Sequence, residues 1–301
     1  MLKNLIKKFL SLFDIKISRY SSSFPLDLSK EKIHPRTIEN LIDQKKAIVN
    51  LDFEKGRTNR FFSLKPESFD PYLFSINYCL RKNLSKNNLH SAILEMINIY
   101  KNKVNIKNLS IFYGLEDEKN TKLNNFPIWA NVLPWENISF ANRLINFPKS
   151  VKADRKKNGF FIKSNDPDII MKEDQKNSLP SHINQYVNLI NSINKIGFVS
   201  DHQNNYIETE FLVKGDEFCW KPRGEGNHRV TVAASLGYKN IKSIVTNIVR
   251  YDELNYWPNV VNGTFKKTEA EQIFNRYFYA KPPEFNKNWI LYCKELTSDK
   301  K

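Results

Sequence analysis

The chain has 301 residues, of which 41% are hydrophobic and 26% charged, a balance that excludes an intrinsically disordered segment and allows one large core or two modest ones. Lys and Arg number 47 against 32 Asp and Glu, a formal charge of +15, which favours anionic partners. The basic residues are mostly Lys scattered among Asn and Ile, the pattern of an A/T-biased gene rather than of a nucleic-acid reader with clustered Arg.

Cys79, Cys219 and Cys293 form no CxxC pair, which excludes a disulfide framework and a zinc knuckle and fits a reducing cytoplasm. No run of 18 apolar residues occurs, so no helix is expected to span a membrane.

Residues 1–20 predict a basic amphipathic helix. Leu2, Leu5, Ile6, Phe9, Leu10, Leu12 and Phe13 fall on one face, with Lys3, Lys7, Lys8 and Ser11 opposite. Its apolar part is too short for a secretory signal and lacks a small-residue cleavage site. Such a helix either lies in the headgroup region of an anionic membrane or docks on its own domain. This opening resembles those of peripheral enzymes of bacterial surface-polysaccharide assembly.

Residues 21–125 read as a mostly helical accessory region. Its clear helix is "NLHSAILEMINIYKNK", where Ile93, Met96, Ile97 and Tyr100 repeat at helical spacing. The region shows no catalytic constellation. His34, Pro35 and Arg36 predict a short extended segment with a structural histidine.

Residues 126–250 read as the principal domain. Trp129, Val132 and Leu133 predict a strand ending at Pro134, followed by Trp135 and Glu136. The polar stretch from Phe147 to Pro180 predicts an insertion or long loop with some helix. Its Lys152, Arg155, Lys156 and Lys157 either touch an anionic polymer or form a solvated face. A helix then runs from a Ser181 cap to Gly197, with Ile183, Tyr186, Val187, Ile190 and Ile193 on its apolar face. "YIETEFLV", "KGDE" and "FCWK" predict strand, turn and strand, and a short helix leads through Gly237 to the strand "IKSIVTNIV".

Residues 251–301 predict a helical extension. Thr268 and Glu271 form a capping box, Ala270, Ile273, Phe274, Tyr277 and Phe278 an apolar face, and Pro282 and Pro283 forbid continuation.

The chemistry concentrates in the loop "RGEGNHR". Gly224 and Gly226 permit positive φ and close ligand approach, and Asn227 is placed to cap the following helix. The unpaired amides of the first turn and the helix dipole then attract an anion. Arg229 offers a planar fork and His228 a donor that titrates near neutrality. Gly224, Glu225, Gly226, Asn227, His228 and Arg229 together describe a phosphate cradle. In the plainer alternative Arg229 pairs with Glu225 or another carboxylate and the glycines only shape a turn. Trp135, Trp220, Trp257 and Trp289 either stack on a ligand or fill the core.

The element order, with Gly226 to Arg229, Ala233 and Ala234, Leu236 and Gly237, Ile241 to Val245, and the upstream Ser192, Ile193 and Gly197, resembles the ParB/sulfiredoxin-like superfamily over about Val132 to Val249. The resemblance implies an α/β (α+β) mixed-sheet domain. Asn227 stands where sulfiredoxins carry their nucleophilic cysteine, which argues against sulfinic-acid repair, and the helix-turn-helix of partition-type ParB proteins is not recognisable after Val249. The free-serine-kinase-like branch implies Glu136 as base, His228 and Arg229 as groups stabilising a transferred phosphate, and a nucleoside triphosphate or diphosphate with Mg²⁺. No protein ligand to a metal is assigned.

The expected function is therefore binding of a nucleotide or phosphorylated small molecule, with phosphotransfer or nucleotide hydrolysis. The expected place is the cytoplasm, peripheral on the inner face of the membrane, in surface-polysaccharide assembly. The alternative is a DNA-associated ParB-like regulator or nuclease. Nucleic acid is the disfavoured partner, because no clustered carboxylates suit metal-dependent cleavage of a phosphodiester.

Overall fold

The computed structural model describes residues 26–31, 34–41, 47–115, 122–157, 161–198, 206–224 and 226–298. The amphipathic helix expected over residues 1–20, Glu225 and the side chain of Lys157 lie outside the described residues.

The chain opens with strand β1 (Leu26–Asp27), helix α1 (Pro35–Leu41) and strand β2 (Ala47–Asp52). Helices α2 (Pro71–Leu80), α3 (Lys86–Lys103), α4 (Leu109–Tyr113), α5 (Phe140–Lys157) and α6 (Pro167–Ile196) follow. Next come strands β3 (Ile207–Lys214) and β4 (Glu217–Pro222), helix α7 (Asn227–Ser235) and strand β5 (Asn240–Arg250). Helices α8 (Pro258–Val261), α9 (Lys267–Phe278) and α10 (Lys287–Ser298) end the described chain. This is the α/β (α+β) class expected from the sequence.

Among the described residues five strands form one mixed sheet in the order β1-β2-β5-β3-β4. β3 and β5 run parallel and β3 and β4 form the expected hairpin, while β2 pairs antiparallel with β5 from Ala47↔Val245 to Asp52↔Asn240. Residues 21–125, read as accessory, thus supply two strands to the same sheet as the principal domain.

Both sheet faces are covered. On one, Val49, Leu51, Phe211, Val213 and Trp220 pack with Val230, Ala233 and Ala234 of α7. On the other, Leu212, Cys219 and Val249 meet Trp135, Trp257, Phe274 and Tyr277. A third cluster joins α2, α3 and α6 around Phe74, Ile97, Ile190 and Trp289, bringing in α10. All four tryptophans in question are buried; they are core, and none offers a stacking face.

Several expectations are corrected. The run Trp129 to Leu133 makes no strand: Ile128–Ala130 is a 3-10 turn, and the Tyr113 hydroxyl serves both the N–H and the carbonyl of Val132, replacing a ladder. The polar stretch read as a long loop is largely α5 and the first half of α6. Asp166 starts α6 by accepting from the N–H groups of Asp168 (2.9 Å) and Ile169 (3.1 Å), with Pro167 in the first turn. Pro180 and Ser181 therefore lie inside the helix rather than at its start, although Gly197 ends it as expected. His34 does not sit in an extended segment but precedes α1, its Nδ1 accepting from the Arg36 N–H at 3.2 Å. α9 begins at Lys267, where the Glu269 carboxylate accepts from the Lys266 N–H at 2.8 Å, so Thr268 and Glu271 are not its cap. The apolar face foreseen for α9 is buried in full.

One polar contact lies inside this framework. Glu210, 2% exposed, follows a bulge in the β3–β5 register, where Thr209 pairs with Val245 but Glu210 with Asn247. Lys221 on β4 reaches its Oε1 at 2.8 Å. Trp135 Nε1 donates to the same oxygen at 3.3 Å and Asn247 Nδ2 to Oε2 at 3.1 Å. Burial opposes ionisation of Glu210, but Lys221 and these donors outweigh it and hold the carboxyl below its usual range.

Removing one partner strands the other charge in the core. Lys221→Met should cost about 3–5 kcal/mol in urea denaturation, and adding Glu210→Leu should recover part of the loss. Equal stability of Lys221→Met and the parent would show the pair to be solvated.

Candidate functional site

The loop after β4 behaves as its glycines require. Gly224 has φ +60° and Gly226 φ +120°, conformations that side chains rarely adopt. A Cβ on Gly226 would also sit 3.0 Å from Ile207 Cγ2. Gly226, not Asn227, is the N-cap residue of α7. Asn227 is the first helical residue: its Nδ2 donates to the Gly224 carbonyl at 3.0 Å, tying the loop, and its Oδ1 accepts from Asn59 Nδ2 at 2.9 Å.

Beside this helix end lies a recess of about 260 Å³ lined by Thr58, Asn59, Arg60, Leu64, Tyr72, His182, Tyr186, Pro222, Asn227, His228, Val230 and Thr231. Of the expected cradle, Asn227 and His228 line it. Gly224, Gly226 and Arg229 adjoin it in sequence without forming its wall, and Glu136 is not part of it.

Glu136 Oε2 accepts from the Leu133 N–H at 3.0 Å, and its neighbours Leu133 and Trp135 belong to the cluster on the sheet face away from Val230 and Ala233. Cys219 is buried, and burial pushes its thiol up to about 12, so it supplies no thiolate. Of the basic stretch on α5, Lys152 is bonded to the Ser164 carbonyl (2.7 Å) and Asn165 Oδ1 (2.9 Å), and Arg155 is paired with Asp174.

The guanidinium in the recess wall belongs to Arg60. The segment Gly56–Leu64 carries it there. The Arg57 N–H donates to the Trp220 carbonyl at 2.8 Å, and the Arg57 guanidinium donates to the carbonyls of Tyr277 (3.0 Å) and Phe278 (2.9 Å) at the end of α9. The Tyr277 hydroxyl donates to the Asn59 carbonyl at 3.2 Å. Arg60 lies over the Tyr72 ring at 4.6 Å with Nη1 3.5 Å from Asp70 Oδ2. Asp70 is 1% exposed and its other oxygen caps α2 through the N–H groups of Tyr72 and Leu73. Asp70 thereby fixes Arg60 from behind.

The rings continue the wall. Tyr72 stacks on Tyr186 with centroids 5.2 Å apart. Tyr186 meets His228 edge-on at 4.5 Å, and His228 lies 5.8 Å from His182. Burial, then His182 and Arg60, lower the His228 imidazole to about 4. Burial lowers His182 as well. Neutral rings, one fixed cation, two amides and a helix N-terminus form the lining, and among the described residues no carboxylate does.

That composition suits an anion. It does not suit Mg²⁺, which needs oxygen ligands: among the described residues no group of three His, Cys, Asp or Glu could hold a metal, and the recess has no Asp or Glu. No catalytic step through a metal follows from these side chains.

Asn59, Arg60, Tyr72 and His182 escaped the sequence reading, and Tyr186 was read only as part of a helix's apolar face. A signal for the first two exists in "GRTNR", a glycine followed by two arginines in a Lys-rich chain.

Gly226→Ala should destabilise the protein by about 1–3 kcal/mol, since the backbone strain persists whatever space Ile207 yields. Urea denaturation measures this, and an unchanged midpoint would mean the loop tolerates another path.

Comparison with protein-family models, with curated proteins and with solved structures finds no match to this chain.

Proposed function

We propose that this chain is a ParB/sulfiredoxin-like protein that binds the phosphoryl group of a nucleotide or phosphorylated small molecule at the N-terminus of α7. The observation that carries the reading is the convergence of the Arg60 guanidinium, held by Asp70 and Tyr72, with the first turn of α7 in one recess whose described lining holds no carboxylate. A helix N-terminus presents unpaired amides and a partial positive charge, and an arginine fork adds charge-assisted hydrogen bonds to phosphate oxygens. Asn59 and Asn227 provide amide donors at the same wall, and their mutual bond sets their orientation.

The order of β3, β4, glycine turn, α7 and a β5 parallel to β3 supports the superfamily reading. Glu136 receives no support as a base, because its carboxylate is turned to the Leu133 amide. The activity proposed is therefore ligand binding.

Calorimetric titration with inorganic phosphate, pyrophosphate and a nucleotide panel tests this. Arg60→Lys keeps a charge beside Asp70 but loses the fork, and should weaken binding by about 10- to 100-fold, the worth of a charge-assisted hydrogen bond. Arg229→Ala should weaken it less. Equal affinity of Arg60→Lys and the parent, or a parent that binds none of these anions, would overturn the proposal.

A further inference from the structure

The recess joins two histidines from separate helices, His182 on α6 and His228 on α7, with ring centroids 5.8 Å apart. No sequence pattern links them. They share the wall with Arg60, whose charge is already partly answered by Asp70 at 3.5 Å.

The charges around them can be named. On His182, after burial, Arg155 of α5 acts first and opposes a positive charge, Asp174 of α6, paired with that arginine, favours one, and Lys101 of α3 opposes it more weakly. Toward His228 stand Arg60, His182 and the Tyr186 ring, with Tyr72 and Asp70 behind Arg60. The Tyr186 hydroxyl is no source of negative charge near neutrality, since burial pushes it well up. Among the described residues lining the recess, only the two histidines can gain positive charge when an anion enters.

A monoanion and a dianion therefore make different demands. Arg60 and the dipole of α7 together offer little more than one positive charge, and Asp70 consumes part of it. A second negative charge in a half-buried wall is unfavourable unless something compensates it. Protonation of the rings supplies that compensation, and charged imidazoles would also donate hydrogen bonds to the anion's oxygens.

We infer that the recess selects a dianionic terminal phosphomonoester over a phosphodiester, and that the ligand enters together with a proton taken up by the His182–His228 pair. This rests on the anion-binding reading above. In the ligand-free protein both rings are neutral at pH 7, and a dianion raises their proton affinity. Binding then strengthens as pH falls, by up to about tenfold per pH unit for each proton taken up. The gain continues until the rings are charged in the free protein too.

Sulfate is the probe of the pH dependence, because it stays dianionic from pH 8 to pH 5. Titration calorimetry of the full chain in buffers of different ionisation enthalpy counts the protons. The expected result is net proton uptake at pH 7, a sulfate affinity that rises toward pH 5, and a weaker, flatter pH profile in His228→Gln. Methyl phosphate should bind at least about tenfold more tightly than dimethyl phosphate at pH 7.5, an affinity ratio of about 1.4 kcal/mol.

Sulfate affinity independent of pH, with no proton exchanged in any buffer, would overturn this inference and leave the anion-binding reading standing. Equal binding of the two methyl esters would do the same. Failure of the parent to bind sulfate, phosphate or methyl phosphate at any pH would end both. Proton counting uses the parent protein, so the outcome does not depend on whether His228→Gln folds.

Discussion

A carboxylate and an ammonium sealed between three strands set the geometry of this molecule. Glu210 cannot be left alone in the core, where an unpaired charge costs several kcal/mol, so the chain must place Lys221, Trp135 and Asn247 around it. Each of these fixes something else. Trp135 brings the turn after Pro134 against the sheet, Asn247 sets the register beyond the bulge, and Lys221 holds β4 on β3. Lys221 Nζ also lies 3.5 Å from Asn59 Oδ1, and Asn59 bonds Asn227 at the start of α7. A polar path thus runs from the middle of the sheet to the wall of the recess.

The same logic places Arg60. The segment after β2 is pinned at Arg57 by the carbonyls ending α9 and at its own N–H by Trp220. Phe61 adopts φ +69° and is fully buried against Tyr277 and Phe112, a conformation tolerated because the surrounding core over-determines it. With Arg57 and Phe61 fixed on either side, Arg60 has to project toward α2 and α7, where Asp70 receives it. Its position follows from the packing of its neighbours rather than from any local motif.

This explains which parts were legible in the sequence. The hairpin of β3 and β4, the glycine turn, α7 and β5 were readable because period-two apolarity and the Gly-rich punctuation lie within one continuous stretch. α6 was half readable: Pro180 followed by Ser181 imitates a helix start, whereas the real start, Asp166 with Pro167, carries the same signature as Asp70 with Pro71 at α2. β2 was missed because the short segment Ala47–Asp52 is paired along its whole length only by β5, far along the chain. At the site, Asn227 and His228 were found in the loop that announces itself. Arg60 and His182 were not, since each is brought there by tertiary packing and nothing local marks it. Arg229 was expected in the cradle, whereas the guanidinium lining the recess is that of Arg60.

The net charge of +15 also reads differently once the side chains are placed. Arg57 caps a helix, Arg155 answers Asp174, Arg250 faces Glu39, Asp252 and Glu253, and Lys221 neutralises Glu210. These cations serve the fold, and a count of them carries no information about a ligand. Arg60 differs because its partner Asp70 approaches from one side only, leaving the guanidinium on the wall of a recess that also contains a helix N-terminus and two neutral imidazoles. The proposed selectivity for an anion rests on that arrangement and on the absence of carboxylates among the described residues of the wall. A surface of scattered lysines would attract any polyanion, whereas in the proposed reading a recess with one fixed charge and two titratable rings would respond to how much charge a ligand brings.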